Sequence, residues 1–165
     1  MGERYLIALG SNRRHHRHGS PERVLAAALT ALDQAGIAVR ARGPVIRSDP
    51  IGPSLRRYAN SAVTVETPLS PPELLAALKH IERAFGRTAS GQRWSSRVLD
   101  LDIVLWSGGC WSSPGLTVPH ALFRERAFVL GPALPIAGQW RDPVSHRTLR
   151  QLAARLTKPG RLRAD

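Results

Sequence analysis

Two hydrophobic rhythms alternate along the chain, one of period two and one of period 3.6, and the changes between them mark out its elements. Residues 4–9, "RYLIAL", form an apolar run closed by "GSN" at 10–12, which predicts a buried strand leading into a turn. Ser20 followed by Pro21 is a helix start, with serine as N-cap and proline in the first helical position. "ERVLAAALTALDQAG" then runs at helical spacing to a stop at Gly36. Residues 37–48, "IAVRARGPVIRS", alternate apolar and basic positions as a strand with one solvated face does, interrupted near Gly43 and Pro44. The returning strand is "ANSAVTVET" at 59–67. Ser70 and Pro71 repeat the helix start, and Leu74, Leu75, Leu78, Ile81 and Phe85 share one stripe before Gly86 ends the helix. With "VLDLDIVLW" at 98–106 as a further strand, the order is βαββαβ.

Two β-α-β halves predict an α+β fold, a ferredoxin-like, antiparallel-rich sheet with both helices on one face. Beyond Trp106 the chain is turn-rich: "SGGCWSSPG" suits a small hairpin, "LTVPHALFRERAFVLGPAL" a turn into one or two short helices, and "TLRQLAARL" a terminal helix. These C-terminal short helices are expected to cover the other face of the sheet.

Period two has a chemical consequence in the strand at 98–106. Leu99, Leu101, Ile103 and Leu105 face one side, while Asp100, Asp102, Val104 and Trp106 face the other. Residues two apart on a strand lie about 7 Å from each other, so the two carboxylates repel unless a cation sits between them. A solvated pair in weak surface salt bridges is the plain alternative. Arg93 and Arg97 just upstream, with Arg87 before them, favour instead a hard divalent ion bridged to phosphates, because Mg²⁺ takes one or two carboxylates and leaves its other positions to substrate and water. Two such ions about 4 Å apart would clamp the attacking and leaving oxygens of a displacement at phosphorus.

Composition narrows the setting. At 165 residues, with 42% hydrophobic and 22% charged positions, the chain fits one globular domain, residues 1–165. No apolar run approaches the roughly 20 residues of a membrane span. A single cysteine, Cys110, excludes an internal disulfide framework, and "MGERYLIALG" lacks the pattern of a signal peptide, so a cytoplasmic setting is expected. The net charge of +12, nearly all arginine on the positive side, points to a polyanionic partner, nucleic acid or nucleotide, or to a solvated basic surface. Trp94 suits either a loop anchor or a lid over a planar ring, and His120 either a structural role or a phosphate donor. The tract "RRHHRH" at 13–18 is expected to be a solvated insertion rather than a metal or nucleic-acid patch. The chain contains no Walker-type, GxGxxG, GxSxG or zinc-spaced motif.

"ALGSN", "RWSSRVLDLDIVLW" and "LTVPHALFRERAFVL" resemble, in order and spacing, the signatures of the 6-hydroxymethyl-7,8-dihydropterin pyrophosphokinase family over residues 5–132, leaving 133–165 as a C-terminal helical extension. The resemblance implies a ferredoxin-like fold and transfer of the terminal diphosphate of ATP to the hydroxymethyl group of the pterin, with release of AMP, in folate biosynthesis. It implies two Mg²⁺ ions held by Asp100 and Asp102, Asp100 also being the candidate acceptor of the alcohol's proton. Arg87, Arg93 and Arg97 match phosphate-binding arginines of a catalytic loop, and Trp94 its tryptophan. Thr117, His120 and Arg126 match contacts to ATP. Tyr58 and Phe128 match aromatics that sandwich the pterin, Asn60 a residue on its edge, and Ser48, Pro50 and Ile51 the pocket loop. Small-molecule substrates, no nucleic acid, no membrane and a monomer are the partner expectations.

Departures from the family pattern fall mainly in the catalytic loop. Ser95 and Ser96 stand where Gly-Pro or Ala-Pro is common, Ala89 where an arginine can occur, and Ala121 where an aromatic often follows the histidine. The segment from Gly52 to Tyr58 is about a residue short, and the first loop is lengthened by "RRHHRHG". A catalytically weakened homologue that binds pterin and ATP is therefore one rival reading. A ferredoxin-like RNA-binding module is the other, and it requires exposed aromatics on the central strands, where 4–9 and 59–67 offer only Tyr5.

Overall fold

The computed structural model describes residues 2–48, 58–86 and 98–158. Five strands form one antiparallel sheet: β1 (Glu3–Ser11), β2 (Ala38–Arg42), β3 (Ile46–Ser48), β4 (Tyr58–Thr67) and β5 (Asp100–Trp106). Their order is β2-β4-β1-β5, with β3 also on β4, so the long strands β1 and β4 are central and β5 forms one edge. With α1 (Pro21–Gln34) and α2 (Pro71–Gly86), this is the ferredoxin-like βαββαβ arrangement that the periodicity predicts. The alternating run at 37–48 is divided into β2 and β3 around Gly43. A side chain at Gly43 would run into the carbonyl oxygen of Pro132.

Both helices begin as their cap residues dictate. The Ser20 side chain accepts from the Arg23 N–H, and Gly36, at φ +79°, takes the left-handed conformation that ends α1. At α2, the Ser70 N–H donates to Glu73 Oε1 while the Glu73 N–H donates to Ser70 Oγ, a reciprocal capping box. Leu74, Leu78, Ile81 and Phe85 are buried as their spacing predicts, whereas Leu75 is only half-buried at the margin of the stripe.

The sheet separates two cores. Tyr5, Ile7, Leu9, Val63, Val65, Leu101 and Ile103 pack against α1 and α2 on one face. Leu6, Ala8, Ala62, Val104 and Leu105 pack on the other face against α3 (Ala127–Ala137) and α4 (Leu149–Thr157). Each large apolar side chain buried in this way contributes about 1.5–3 kcal/mol, so both layers hold the sheet. Helix α4 starts on a second capping box, between Thr148 and Gln151.

Two corrections to the sequence reading concern local geometry. Strict alternation placed Leu105 with Leu101 and Ile103, and Val104 with Trp106. Instead, Leu6 pairs with Leu105 and Ile7 with Ile103, so Val104 is the extra residue of a β-bulge. Beyond the bulge the side-chain faces exchange: Leu105 joins Val104 in the α3/α4 core, while Trp106 packs with the α1/α2 core and meets Trp111 edge-on at 5.9 Å. The hairpin after β5 is also displaced. Its strands are β6 (Trp111–Ser113) and β7 (Leu116–Val118), joined at Pro114 and Gly115, where Gly115 has φ +76°. "LTV" is thus a returning strand and not the start of a turn.

Candidate active site

Asp100 and Asp102 precede the bulge, so the alternation on which their placement depends is intact there. Leu101 and Ile103 belong to the α1/α2 core, which turns both acids to the opposite face. On that face Asp100 lies opposite Gly10, and Asp102 lies opposite Ala8. The neighbouring strand continues the two rows, because Gly10 also pairs with Asn60 and Ala8 with Ala62. Small residues therefore floor the space between the acids and β4. A Cβ on Gly10 would lie 3.4 Å from Asn60 Oδ1 and 3.9 Å from the Tyr58 ring, which puts both groups on this same floor. Asp102 is exposed and Asp100 half-buried.

The far wall comes from the chain after β7. The His120 N–H donates to the Val104 carbonyl at 3.1 Å, tying this segment to β5. His120 Nδ1 accepts from the Leu122 N–H at 3.1 Å, so the neutral ring carries its proton on Nε2. Burial lowers the His120 pKa, the Asp102 carboxylate raises it and Arg126 lowers it further, which places the imidazole electrostatically between these two groups. Arg126 is the residue before α3, and its guanidinium lies 5.5 Å from the centre of the Phe128 ring. Phe128 packs at the edge of the α3/α4 core.

The structure thus brings Asp100, Asp102, Tyr58 and Asn60 onto one face, and links Asp102 to His120, Arg126 and Phe128. Thr117 stands exposed on β7, between the buried Leu116 and Val118, on a strand that packs against β5. Ser48 pairs with Tyr58 at the end of β3. Arg87, Arg93, Trp94, Arg97, Pro50 and Ile51 lie outside the described residues, as do Ala89 and the Ser95–Ser96 pair. Ala121 is exposed, immediately after His120.

Two residues emerge that sequence reasoning did not single out. Glu82 of α2 accepts the Leu101 N–H at 2.9 Å, fixing the outer edge of β5 between the two acids. Its position next to Ile81 on the edge of the buried stripe is the only sequence signal for it. Asn12, which ends the "GSN" motif, is 3% exposed, and its Oδ1 has no hydrogen-bond partner among the described residues. A buried acceptor without a donor is costly, by about 1–3 kcal/mol, and marks a position where a donor belongs. Glu82→Ala is expected to lower stability by about 1.5–3 kcal/mol, the range for a hydrogen bond to a charged group. Glu82→Gln, which keeps the acceptor, should recover most of the denaturation midpoint; equal midpoints for both variants would show that the Leu101 bond contributes nothing.

Comparisons with known proteins agree with this geometry. The family model for 7,8-dihydro-6-hydroxymethylpterin-pyrophosphokinase (HPPK) matches residues 6–138. A 2-amino-4-hydroxy-6-hydroxymethyldihydropteridine pyrophosphokinase of Pseudomonas aeruginosa is 37% identical over 156 residues, which are 93% of this chain and 93% of that protein. A Synechocystis protein of the same name is 42% identical over 118 residues, 72% of this chain and 60% of that one. The HPPK-DHPS of Plasmodium falciparum shares the fold, with a TM-score of 0.71 at 12% identity over 94% of this chain and 45% of that one. The acids of β5, their small-residue floor and the match over 6–138 together assign the chain to the 7,8-dihydro-6-hydroxymethylpterin-pyrophosphokinase family.

Proposed function

We propose that this protein transfers the terminal diphosphate of ATP to the hydroxymethyl group of 6-hydroxymethyl-7,8-dihydropterin and releases AMP, a step of folate biosynthesis. The observation that carries the reading is the pair Asp100 and Asp102 on one sheet face, floored by Ala8 and Gly10 and flanked by Asn60 and Tyr58. The donor set fits Mg²⁺: hard carboxylate oxygens, two residues apart, with small neighbours that leave room for water and phosphate oxygens. When bound there, such an ion supplies neutralisation of phosphate charge and lowers the pKa of the attacking alcohol.

The remaining chemistry belongs to the chain itself. Diphosphate transfer needs little covalent work from the protein, so positioning and preorganised charge carry it. His120, neutral and with its Nε2–H available, donates to a phosphate oxygen, and Arg126 neutralises charge beside it. Tyr58 and Phe128 hold the flat pterin by stacking, worth about 0.5–1.5 kcal/mol beyond the area they bury, and Asn60 reads its edge. Asp100 is the carboxylate assigned to take the alcohol's proton. The family resemblance assigns Arg87, Arg93, Arg97 and Trp94 to the phosphates and to closure, Thr117 to the adenosine side, and Ser48, Pro50 and Ile51 to the pterin pocket.

The test is direct: ATP, Mg²⁺ and the hydroxymethyl dihydropterin are mixed with the protein, and AMP is quantified by chromatography. AMP formation that requires both the pterin and the protein is the expected result. Binding of pterin and ATP without AMP would leave a catalytically weakened homologue as the correct description.

A further inference from the structure

The tract 13–18 belongs to no part of the site described above; Arg13, Arg14, His16 and Arg17 are exposed, as expected of a solvated insertion, but His15 folds inward. His15 is 9% exposed. Its backbone N–H and C=O each exchange a 2.8 Å hydrogen bond with Gly19, closing a tight turn. Inside that turn His15 Nδ1 accepts from the N–H groups of Arg17 at 3.0 Å and His18 at 3.1 Å. An imidazole that accepts at Nδ1 is neutral and carries its proton on Nε2. The ring stacks on His16 at 4.4 Å and on His18 at 4.7 Å, and His18 stacks in turn on Phe85 at 5.0 Å. Phe85 lies in the last turn of α2, and Arg87 is two residues further along the chain.

We propose that His15 is a positioning residue: its neutral ring folds the turn 15–19 into a brace on the C-terminal turn of α2, and protonation at Nδ1 undoes the brace and lowers turnover. The consequence for turnover rests on the function proposed above, in which the chain just beyond Phe85 supplies phosphate-binding Arg87. Protonation removes the lone pair that both backbone N–H groups use, so two hydrogen bonds are lost at once. Among the described residues, the charged or titratable groups that face the new charge are cations or potential cations. His16, His18 and Arg17 face it from its own turn, α1 brings Arg23 against Gly19, and α2 presents the uncharged Phe85. Burial is the largest cause holding the His15 pKa below its ordinary 6.5, with His16, His18 and Arg17 adding to it, while a hydrogen bond with the Phe85 backbone acts the other way. Because the folded-state pKa lies below the unfolded one, the brace is complete above about pH 6.5 and weakens as pH falls through the depressed value.

The variant that separates proton sensitivity from the turn itself is His15→Asn. An asparagine Oδ1 accepts from N–H groups two and three residues on, as Nδ1 does here, and does not titrate in this range. In the wild-type protein, histidine NMR should show His15 protonated on Nε2 at neutral pH. Its titration midpoint should coincide with a fall in kcat on the acid side. His15→Asn, normalised to its own kcat at pH 8, should lose that acid limb. An unchanged acid limb in His15→Asn, or a proton on Nδ1 at neutral pH, would overturn the proposal. If the wild-type protein forms no AMP at any pH, the functional reading falls, and amide hydrogen exchange then decides the brace. Protection at Phe85 and Gly86, measured relative to the intrinsic exchange rate at each pH, that falls on acidification in the wild type but not in His15→Asn supports it; protection indifferent to the substitution refutes it.

Discussion

Asp102→Asn is expected to abolish AMP formation while leaving the fold intact. The side chain is exposed on β5, outside both cores, so the substitution should move the denaturation midpoint by no more than about 0.5 kcal/mol. Asparagine keeps the shape and loses the charge that a hard divalent ion requires. The expected fall in kcat is at least about 1,000-fold, equivalent to roughly 4 kcal/mol of charge stabilisation in the transition state. The same substitution also removes the carboxylate that raises the pKa of His120, leaving burial and Arg126 to depress it further. His120 should therefore remain neutral to lower pH in the variant, which a histidine NMR titration reads independently of turnover. A folded Asp102→Asn protein with more than about a tenth of wild-type activity would refute the metal assignment.

Why the acids could be placed from the sequence, and the tract 13–18 could not, is a matter of which interactions are local. A strand's alternation is imposed by the backbone, and the flanking Leu101 and Ile103 leave the acids only one face to occupy. Helix starts were equally legible, since Ser20 and Ser70 act on N–H groups three residues away. Failures came where long-range contact decides. The bulge at Val104 arises from register against Leu6 and Ile7, almost a hundred residues away in sequence, and nothing in "DIVLW" announces it. The burial of His15 depends on Phe85, which belongs to another element. Of the candidate site, the β5 acids and the β4 row of Tyr58 and Asn60 were legible as strand positions. Their meeting with His120 and Arg126 depends on how the segment after β7 folds back onto Val104.

Tyr5, the one aromatic within 4–9 and 59–67, gives the rival RNA-binding reading no support. Tyr5 is fully buried, its hydroxyl donates to the Leu69 carbonyl at 2.6 Å, and burial pushes its pKa up to about 12. A ring in that position belongs to the α1/α2 core and offers no platform for a base.

The largest stability effect is expected at a residue with no place in the sequence reading, Asp142. It is fully buried, and it accepts from Arg124 Nε at 2.5 Å, Arg124 Nη2 at 2.7 Å, Ser145 Oγ at 2.6 Å and the Val144 N–H at 3.0 Å. Arg124 sits in the 3-10 turn Phe123–Glu125, between His120 and Arg126, so this bidentate pair ties the site's far wall to the α3–α4 connection. Burial alone would raise the Asp142 pKa, but hydrogen bonds from Arg124, Ser145 and Val144, with the Arg124 charge, hold it well below the usual carboxylate range. Its contribution to stability is therefore complete above the unfolded value of 3.8 and is lost only as pH falls below it through the strongly depressed folded value. Asp142→Ala leaves a partly buried guanidinium without its partner, a change that costs about 3–5 kcal/mol in such pairs. For a chain of this size that corresponds to a fall in Tm on the order of 10 °C. Replacing both partners by apolar residues, Arg124→Met with Asp142→Leu, should cost less than the single change, because no unpaired charge remains. A loss below about 1 kcal/mol in Asp142→Ala would mean that Arg124 finds solvent as readily as it finds Asp142. In that case the orientation of His120 and Arg126 would have to come from the backbone bonds of the 3-10 turn alone.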